Sequence, residues 1–225
     1  TVLHYPQNNI TIQLGSLKKI YEKIKIRIVG NFRENDIKNG GQGAPIGAFY
    51  HKYILNNFST STAIINLGGI VNICYSHKKE LIAFDLGPAN ALIDDLMLYF
   101  YDKNFDKDGK KAFKGKIDNR LIDIFKKDIF FKKDYPKSLD REYFKKYFNL
   151  LKKLKKNNSI HTASMMTIEC IILGIKLLKR KINRIIITGG GRKNLFLLNT
   201  LKKNLKNIGI KIILIDNIKF NGDLL

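Results

Sequence analysis

The sequence predicts an α/β protein, and three observations carry that prediction. Short apolar runs rich in isoleucine alternate with longer stretches of helical periodicity. Two of the apolar runs end in consecutive glycines, Gly68-Gly69 and Gly189-Gly190-Gly191. A lone carboxylate, Asp85, closes another run just before Gly87-Pro88 and a helical segment. A glycine turn lets backbone N–H groups approach a ligand, and such concavities favour anions. A carboxylate on the loop after a buried strand stands at a sheet edge, where α/β proteins place their chemistry.

Taken in order, residues 11–14 read as a strand and 16–23 as a helix with Ser16 as N-cap. Residues 26–29 read as a second strand. They lead through Arg33 and Asp36 into Gly40-Gly41-Gln42-Gly43-Ala44-Pro45, whose spacing does not fit a dinucleotide fingerprint. That loop reads equally well as a tight connection. Residues 48–57 form a helix carrying His51, read as an ordinary half-buried histidine.

Residues 63–67, 70–74 and 81–84 are three short strands, the last two joined by the polar tip Ser76-His77-Lys78-Lys79. The helix at 91–101 puts Leu92, Ile93 and Leu96 inside, with Asp94 and Asp95 turned to solvent. Asp106-Lys107-Asp108-Gly109 stops short of a calcium loop, which needs a closing glutamate. Residues 118–127 and 138–155 read as helices, Ser138 with Glu142 giving an imperfect capping box. An apolar helix follows at 165–178, then a buried strand at 185–187. Leu195, Leu198, Leu201 and Leu205 stripe one more helix, and 210–215 is a further strand. Residues 220–223 begin another element.

The chain of 225 residues is long enough for one sizeable domain or two small ones. No apolar run approaches the roughly 20 residues that span a bilayer, and residues 1–13 lack the pattern of a signal peptide. Cys74 and Cys170 read as buried free thiols, in keeping with a reducing cytoplasm. The chain does not begin with methionine, which suggests a fragment or a processed product. The net charge of +22 raises nucleic acid as a partner. Lysine is spread over nearly every helical segment, with one dense run at 152–156. The charge therefore reads mainly as solvated surface, and nucleic-acid binding is not favoured as the main function.

There is no P-loop, no C-x-x-C, no H-E-x-x-H and no G-x-S-x-G. Metal-hydrolase and serine-hydrolase chemistry are unsupported. Three consecutive glycines between a strand and a helix make sense if a ring or phosphate lies against bare backbone near the helix N-terminus. Two glycine turns with a carboxylate between them fit a nucleotide held by backbone across a cleft.

In chain order, these segments resemble the anhydro-N-acetylmuramic acid kinases. The matching pieces are Thr1-Val2 with His4-Tyr5-Pro6, Asn31-Phe32-Arg33 with Asp36, and the loop from Gly40 to Pro45. They continue through residues 66–72, Phe84-Asp85-Leu86-Gly87-Pro88-Ala89-Asn90 and Asp106 to Gly109. Pro136-Lys137-Ser138 with Arg141-Glu142, and Gly189 to Gly191 with Asn194, complete the set. The resemblance implies an actin-like ATPase fold, with ribonuclease-H-like lobes around a nucleotide cleft. Residues 1–61 would belong to the first lobe and 62–225 to the second. It implies a cytoplasmic, ATP- and Mg2+-dependent kinase of cell-wall recycling and, by analogy, a homodimer. The kinase would open the 1,6-anhydro sugar with water and phosphorylate O6.

Asp85 would be the base that activates the water. Gly68, Gly69, Asn72 and Gly87 would face the ATP phosphates, with Gly189, Gly190, Gly191 and Asn194 around the adenosine. Arg33, Asp36, Gln42, Gly43, Asn90 and Lys137 would lie on the sugar side; no residue is assigned to metal. The sequence departs from the family pattern at Leu86 and Ala89, where Thr and Gly are usual, and at Leu139-Asp140, where Thr-Gly is usual. Leu86 would remove a hydroxyl from beside the phosphates. The family's first phosphate hairpin and its last helix would lie before Thr1 and after Leu225. The alternatives are another sugar or acyl-phosphate kinase of this fold, or a non-catalytic basic protein that binds nucleotide or nucleic acid.

Overall fold

Alternation of apolar side chains along five strands explains the architecture of the computed structural model, which describes residues 3–58, 61–77 and 80–218. Thr1, Val2, Lys78, Lys79 and the element expected at 220–223 lie outside the described residues. β1 (Leu3–Tyr5) and β2 (Ile10–Ile12) form a small antiparallel ribbon. Three short helices follow: α1 (Leu17–Ile24), α2 (Phe32–Lys38) and α3 (Ala48–Leu55). Ser16 caps α1 through its hydroxyl, as the sequence predicts.

The main sheet begins with an antiparallel meander of β3 (Thr62–Leu67), β4 (Ile70–His77) and β5 (Glu80–Pro88). β6 (Arg184–Thr188) then pairs parallel with β3, and β7 (Lys211–Leu214) parallel with β6. The resulting order is β5-β4-β3-β6-β7. A meander extended by parallel strands beyond its first strand is the ribonuclease-H-like arrangement, so the expected actin-like fold is the one observed.

Between β5 and β6 the chain runs through α4 (Asn90–Tyr101), α5 (Lys110–Phe113), α6 (Asn119–Lys126), α7 (Lys145–Leu151) and α8 (Lys156–Leu177). α9 (Leu195–Lys206) links β6 to β7. One face of the sheet, carrying Ile65, Leu67, Ile73, Phe84 and Ile187, packs with these helices into the main core. The opposite face carries Ile64, Cys74 and Ile186 against Ile54 and Leu55 of α3. Both cysteines are free and buried, as expected.

α8 has the length and apolar composition to cross a membrane, although no single run of its residues does. Most of it is buried, with Ile160, Met166, Ile168 and Ile171 in the main core.

Three expectations need correction. Residues 26–29 form no strand, because they find no sheet partner; Ile26 and Val29 are largely exposed. The helix expected at 138–155 is broken: residues 138–140 are extended, a 3-10 turn spans Arg141–Phe144, and α7 follows. Asp140, not Ser138, caps that turn by accepting the Glu142 N–H. The N–H of Leu139 reaches the carboxylate of Asp85, while Ser138 and Asp140 contact Gln42 and His4. Finally, β5 does not end at residue 84 but runs on to Pro88, so Asp85 lies within a strand. Asn72 faces Asp85 while Val71 faces Gly87, leaving Leu86 as the extra residue of a β-bulge.

Candidate active site

Alternation along β5 decides which way the strand presents its side chains, with Ile82, Phe84 and Leu86 on the core face. Leu86 turns into the main core, where it packs so closely on α8 that a Cβ at Gly174 would collide with it. Asp85 lies on the opposite face. The expectation that Leu86 costs a hydroxyl beside the phosphates is therefore corrected, since its side chain belongs to the core. Ala89 is also buried, with its N–H bonded to the Gly69 carbonyl at 3.0 Å.

On the α3 face, Asp85 stands opposite Asn72, Asn72 opposite Asn66, and Asn66 opposite Thr188. Four strands thus contribute one polar row, continuing the line where the second face is otherwise apolar. Thr188 donates its hydroxyl to Asn66 Oδ1 at 3.2 Å. A cavity of about 470 Å3 opens over this row, lined by Asn66, Asn72 and Asp85 from the sheet. His4, Arg33, His51 and Glu142 close its other sides.

Asp85 is held by backbone from both ends. Its N–H donates to the Lys137 carbonyl at 3.0 Å, and its Oδ2 accepts the Leu139 N–H at 2.8 Å. Burial raises its pKa to about 7, opposed by the Leu139 hydrogen bond and the Arg33 charge. A carboxyl poised there can take a proton near neutral pH. Burial equally lowers His51 to about 4, so it is a neutral imidazole at pH 7. His4 is lowered by burial and by Arg33.

The cavity is short of partners. His4 Nε2, Arg33 Nε, His51 Nδ1 and Asn72 Oδ1 are buried without a hydrogen bond among the described residues. Orphaned buried polar atoms are costly, and four around one cavity point to a polar ligand.

The glycine loop serves the cavity indirectly. Asp36 accepts the Gly43 N–H at 2.6 Å, and the Gly43 carbonyl accepts Arg33 Nη1 at 2.7 Å. Gln42 accepts the Ser138 hydroxyl at 3.3 Å. Asp36, Gln42 and Gly43 thus position Arg33 and residue 138 without lining the cavity. Lys137 does not line it either: its ammonium donates to the carbonyls of Phe130 and Lys133.

A second cavity, of about 490 Å3, is lined by Asn90, Gly190, Gly191 and Asn194, together with Ile93, Asp94 and Phe105. A Cβ on Gly190 would meet nothing within 4 Å, so bare backbone is open to a ligand there. Asn194 caps α9 through Leu197 N–H at 3.2 Å. Asp94, expected to face solvent, lines this cavity, and burial raises it to about 6. Asp106 also lines it and ties down the start of α5 by accepting the N–H groups of Lys111 and Ala112.

The Gly68-Gly69 turn stands beside Asn90. The carbonyls of Gly68 and Gly69 accept N–H groups from Asn90 and Ala91 at the start of α4, and Asn90 Nδ2 donates to Leu67 O at 2.9 Å. In a trans peptide the Gly69 N–H points opposite to the Gly68 carbonyl, away from α4. Gly87 packs on α8, where a Cβ would meet Cys170 at 2.8 Å.

The buried carboxyl should leave a trace in stability. Its folded pKa of about 7 exceeds the ordinary 3.8, so ionisation opposes folding. That stabilising contribution of the neutral form is complete below the unfolded value and lost as pH rises through about 7. Asp85→Asn should therefore be more stable than the parent above about pH 7, with the gap closing toward pH 3.8. Urea denaturation across that range checks it; a gap that widens on acidification would contradict the burial argument.

Comparison with known proteins follows the same segments. The family model of the anhydro-N-acetylmuramic acid kinases matches residues 1–224. The kinase of that name from Paramagnetospirillum magneticum is 33% identical over 227 residues, covering 100% of this chain and 63% of the relative. Two from Rhodopseudomonas palustris strains are 36% and 37% identical, each over 91% of this chain and 56% of the relative. The chain thus spans somewhat over half the length of these curated relatives. A xylulose kinase structure from Lactobacillus acidophilus aligns at a TM-score of 0.48 and 15% identity, covering 74% of this chain and 37% of that one. With a match over essentially its whole length, the chain belongs to the anhydro-N-acetylmuramic acid kinase family.

Proposed function

We propose that the whole protein is an ATP-dependent kinase that opens 1,6-anhydro-N-acetylmuramic acid with water and phosphorylates O6. The observation that carries this reading is the polar row under the first cavity. It ends at a carboxyl titrating near neutrality and, at Asn66 and Thr188, adjoins the turn of the second cavity. Sugar above the row and nucleotide against the Gly189–Gly191 turn would meet near Gly68-Gly69. Residues up to 61 would then be part of the first lobe and those from 62 on most of the second, with the first cavity between them.

In this reading Asp85 takes a proton from water as the water oxygen bonds to the anomeric carbon. The C1–O6 bond breaks, O6 bonds to the γ-phosphorus, and the bond from that phosphorus to the bridging oxygen breaks to leave ADP. Arg33 offsets the charge on Asp85, and neutral His4 and His51 offer hydrogen bonds to sugar oxygens. The open backbone at Gly190, with Asn194 beside it, fits the nucleoside, and the Gly69 N–H fits a phosphate oxygen. Among the described residues no group of three or more His, Cys, Asp or Glu could hold a metal. Magnesium would therefore ride on the phosphates with water ligands, neutralising charge there.

Turnover of the full-length protein in 18O-labelled water tests the reaction. Label should enter the product at C1 and not the phosphate. Label in the phosphate, or no product from this sugar, would overturn it in favour of simple ATP hydrolysis or another acceptor.

A further inference from the structure

We propose that Lys137 is a positioning residue for Asp85: its buried ammonium fastens the 137–139 segment whose backbone grips the carboxyl. The proposal rests on the reading of Asp85 as the proton acceptor.

Lys137 is 7% exposed, and among the described residues no carboxylate lies in ion-pair range of it. An ammonium removed from water is costly unless its donors are satisfied. Here they are. Nζ donates to Phe130 O at 3.1 Å and Lys133 O at 2.9 Å, and it lies 4.4 Å from the centre of the Phe130 ring. Two carbonyls and a ring face suit the three donors of an ammonium. Burial lowers the amine to about 8, opposed by the nearby Asp134 charge and reinforced by that of Lys133. Such a group staples the turn at 130–133 to residue 137.

What the staple holds is the grip on Asp85. The Lys137 carbonyl receives the Asp85 N–H, and two residues on the Leu139 N–H reaches the carboxyl. Between them Ser138 reaches Gln42 of the glycine loop, and just beyond, Asp140 accepts the His4 N–H at 3.2 Å. Residues 137–140 thus form a strap joining the catalytic strand to both N-terminal segments of the cavity. Its free end is held by contacts of 3.2 and 3.3 Å, its root by the buried ammonium.

The sign of the effect follows. The groups facing Asp85 are Asn72 on β4, Arg33 on α2 and Leu139 on the strap, with His4, His51, Asp140, Arg141 and Glu142 around the cavity. The Leu139 N–H and Arg33 favour the carboxylate. Lys137 acts on neither directly. Releasing the strap removes the Leu139 hydrogen bond, so Asp85 should hold its proton to higher pH.

The test is a pH titration of the Asp85 carboxyl by 13C NMR in the full-length protein, without substrate, for the parent, K137M, K137Q and K137R. K137M should raise the midpoint by about one unit. K137Q and K137R, which keep donors, should shift it less. In turnover, K137M should lower kcat at pH 7 about fivefold and move the acid limb upward by about one unit, with KM for ATP unchanged. A folded K137M whose Asp85 midpoint and acid limb match the parent, even with a lower Tm, overturns the proposal. So does K137Q shifting as far as K137M, because only the charge would then matter. If K137M does not fold, K137Q and K137R decide: midpoints that agree with each other and lie slightly above the parent support the staple, and K137Q raised well above K137R, or neither raised, overturns it. A parent protein inactive on the sugar would overturn the functional reading and leave the titration standing.

Discussion

Asparagine in place of Asp85 should lower turnover of the full-length protein by about 10²- to 10⁴-fold, the range associated with a positioned general base. The substitution is nearly isosteric, and its amide oxygen can still accept the Leu139 N–H that holds the parent side chain at 2.8 Å. What it cannot do is take a proton. The effect should fall on kcat, because the residues proposed for the nucleotide, Asn90, Gly190, Gly191 and Asn194, line a different cavity. KM for ATP should change little. The parent rate should fall on acidification with a midpoint near the Asp85 value of about 7, and this limb should vanish from the residual activity of the variant. Steady-state rates against pH for both proteins check each part. An Asp85→Asn enzyme with a near-normal rate would remove the carboxyl from the mechanism.

The largest effect on stability should come from Gly189→Ala. Gly189 has φ +77°, a left-handed conformation that costs an L-residue roughly 1–2 kcal/mol. There is also no room: an added Cβ would strike Asn66 Oδ1 and lie 2.7 Å from the backbone of Leu67. Neither neighbour can retreat cheaply, since both belong to β3 at the centre of the sheet. Overpacking a fixed site adds roughly 1–3 kcal/mol. Together they give about 2–5 kcal/mol, read as a lower urea midpoint. Gly190→Ala is the control, because nothing lies within 4 Å of its added methyl. Its stability should stay within about 0.5 kcal/mol of the parent. If Gly189→Ala proved as stable as Gly190→Ala, the tight seat of the turn on β3 would be wrong.

These positions differ in how legible they are from sequence. The glycine turns, Asp85 and the strands of the main sheet stand out because burial on both faces writes continuous apolar runs, which glycine and the polar tip interrupt. Asn66 and Asn72 carried a readable signal: each breaks an apolar run, two residues before and four after the first glycine of one hairpin turn. Pairing across that turn puts them face to face. The bulge at Leu86 has no such mark, since an extra residue in an apolar run looks like any other. His4 and His51 reach the cavity only through tertiary packing of the ribbon and α3, which local spacing does not encode. The failed helix at 138–155 has the same origin. Its local preference is helical, and residues 138–140 are instead engaged by the distant Asp85, Gln42 and His4.

β5 is an edge strand of the main sheet. Its outer backbone is the kind that recruits a strand from another molecule unless something covers it. Where Asp85 sits, the cover is the Lys137 carbonyl, which occupies the Asp85 N–H as a neighbouring strand would. The strap thus takes up an edge N–H that another strand could otherwise claim, at the position of the buried carboxyl. With Asp85 as the proposed proton acceptor, one short stretch of backbone would set both its geometry and the cover of the sheet edge.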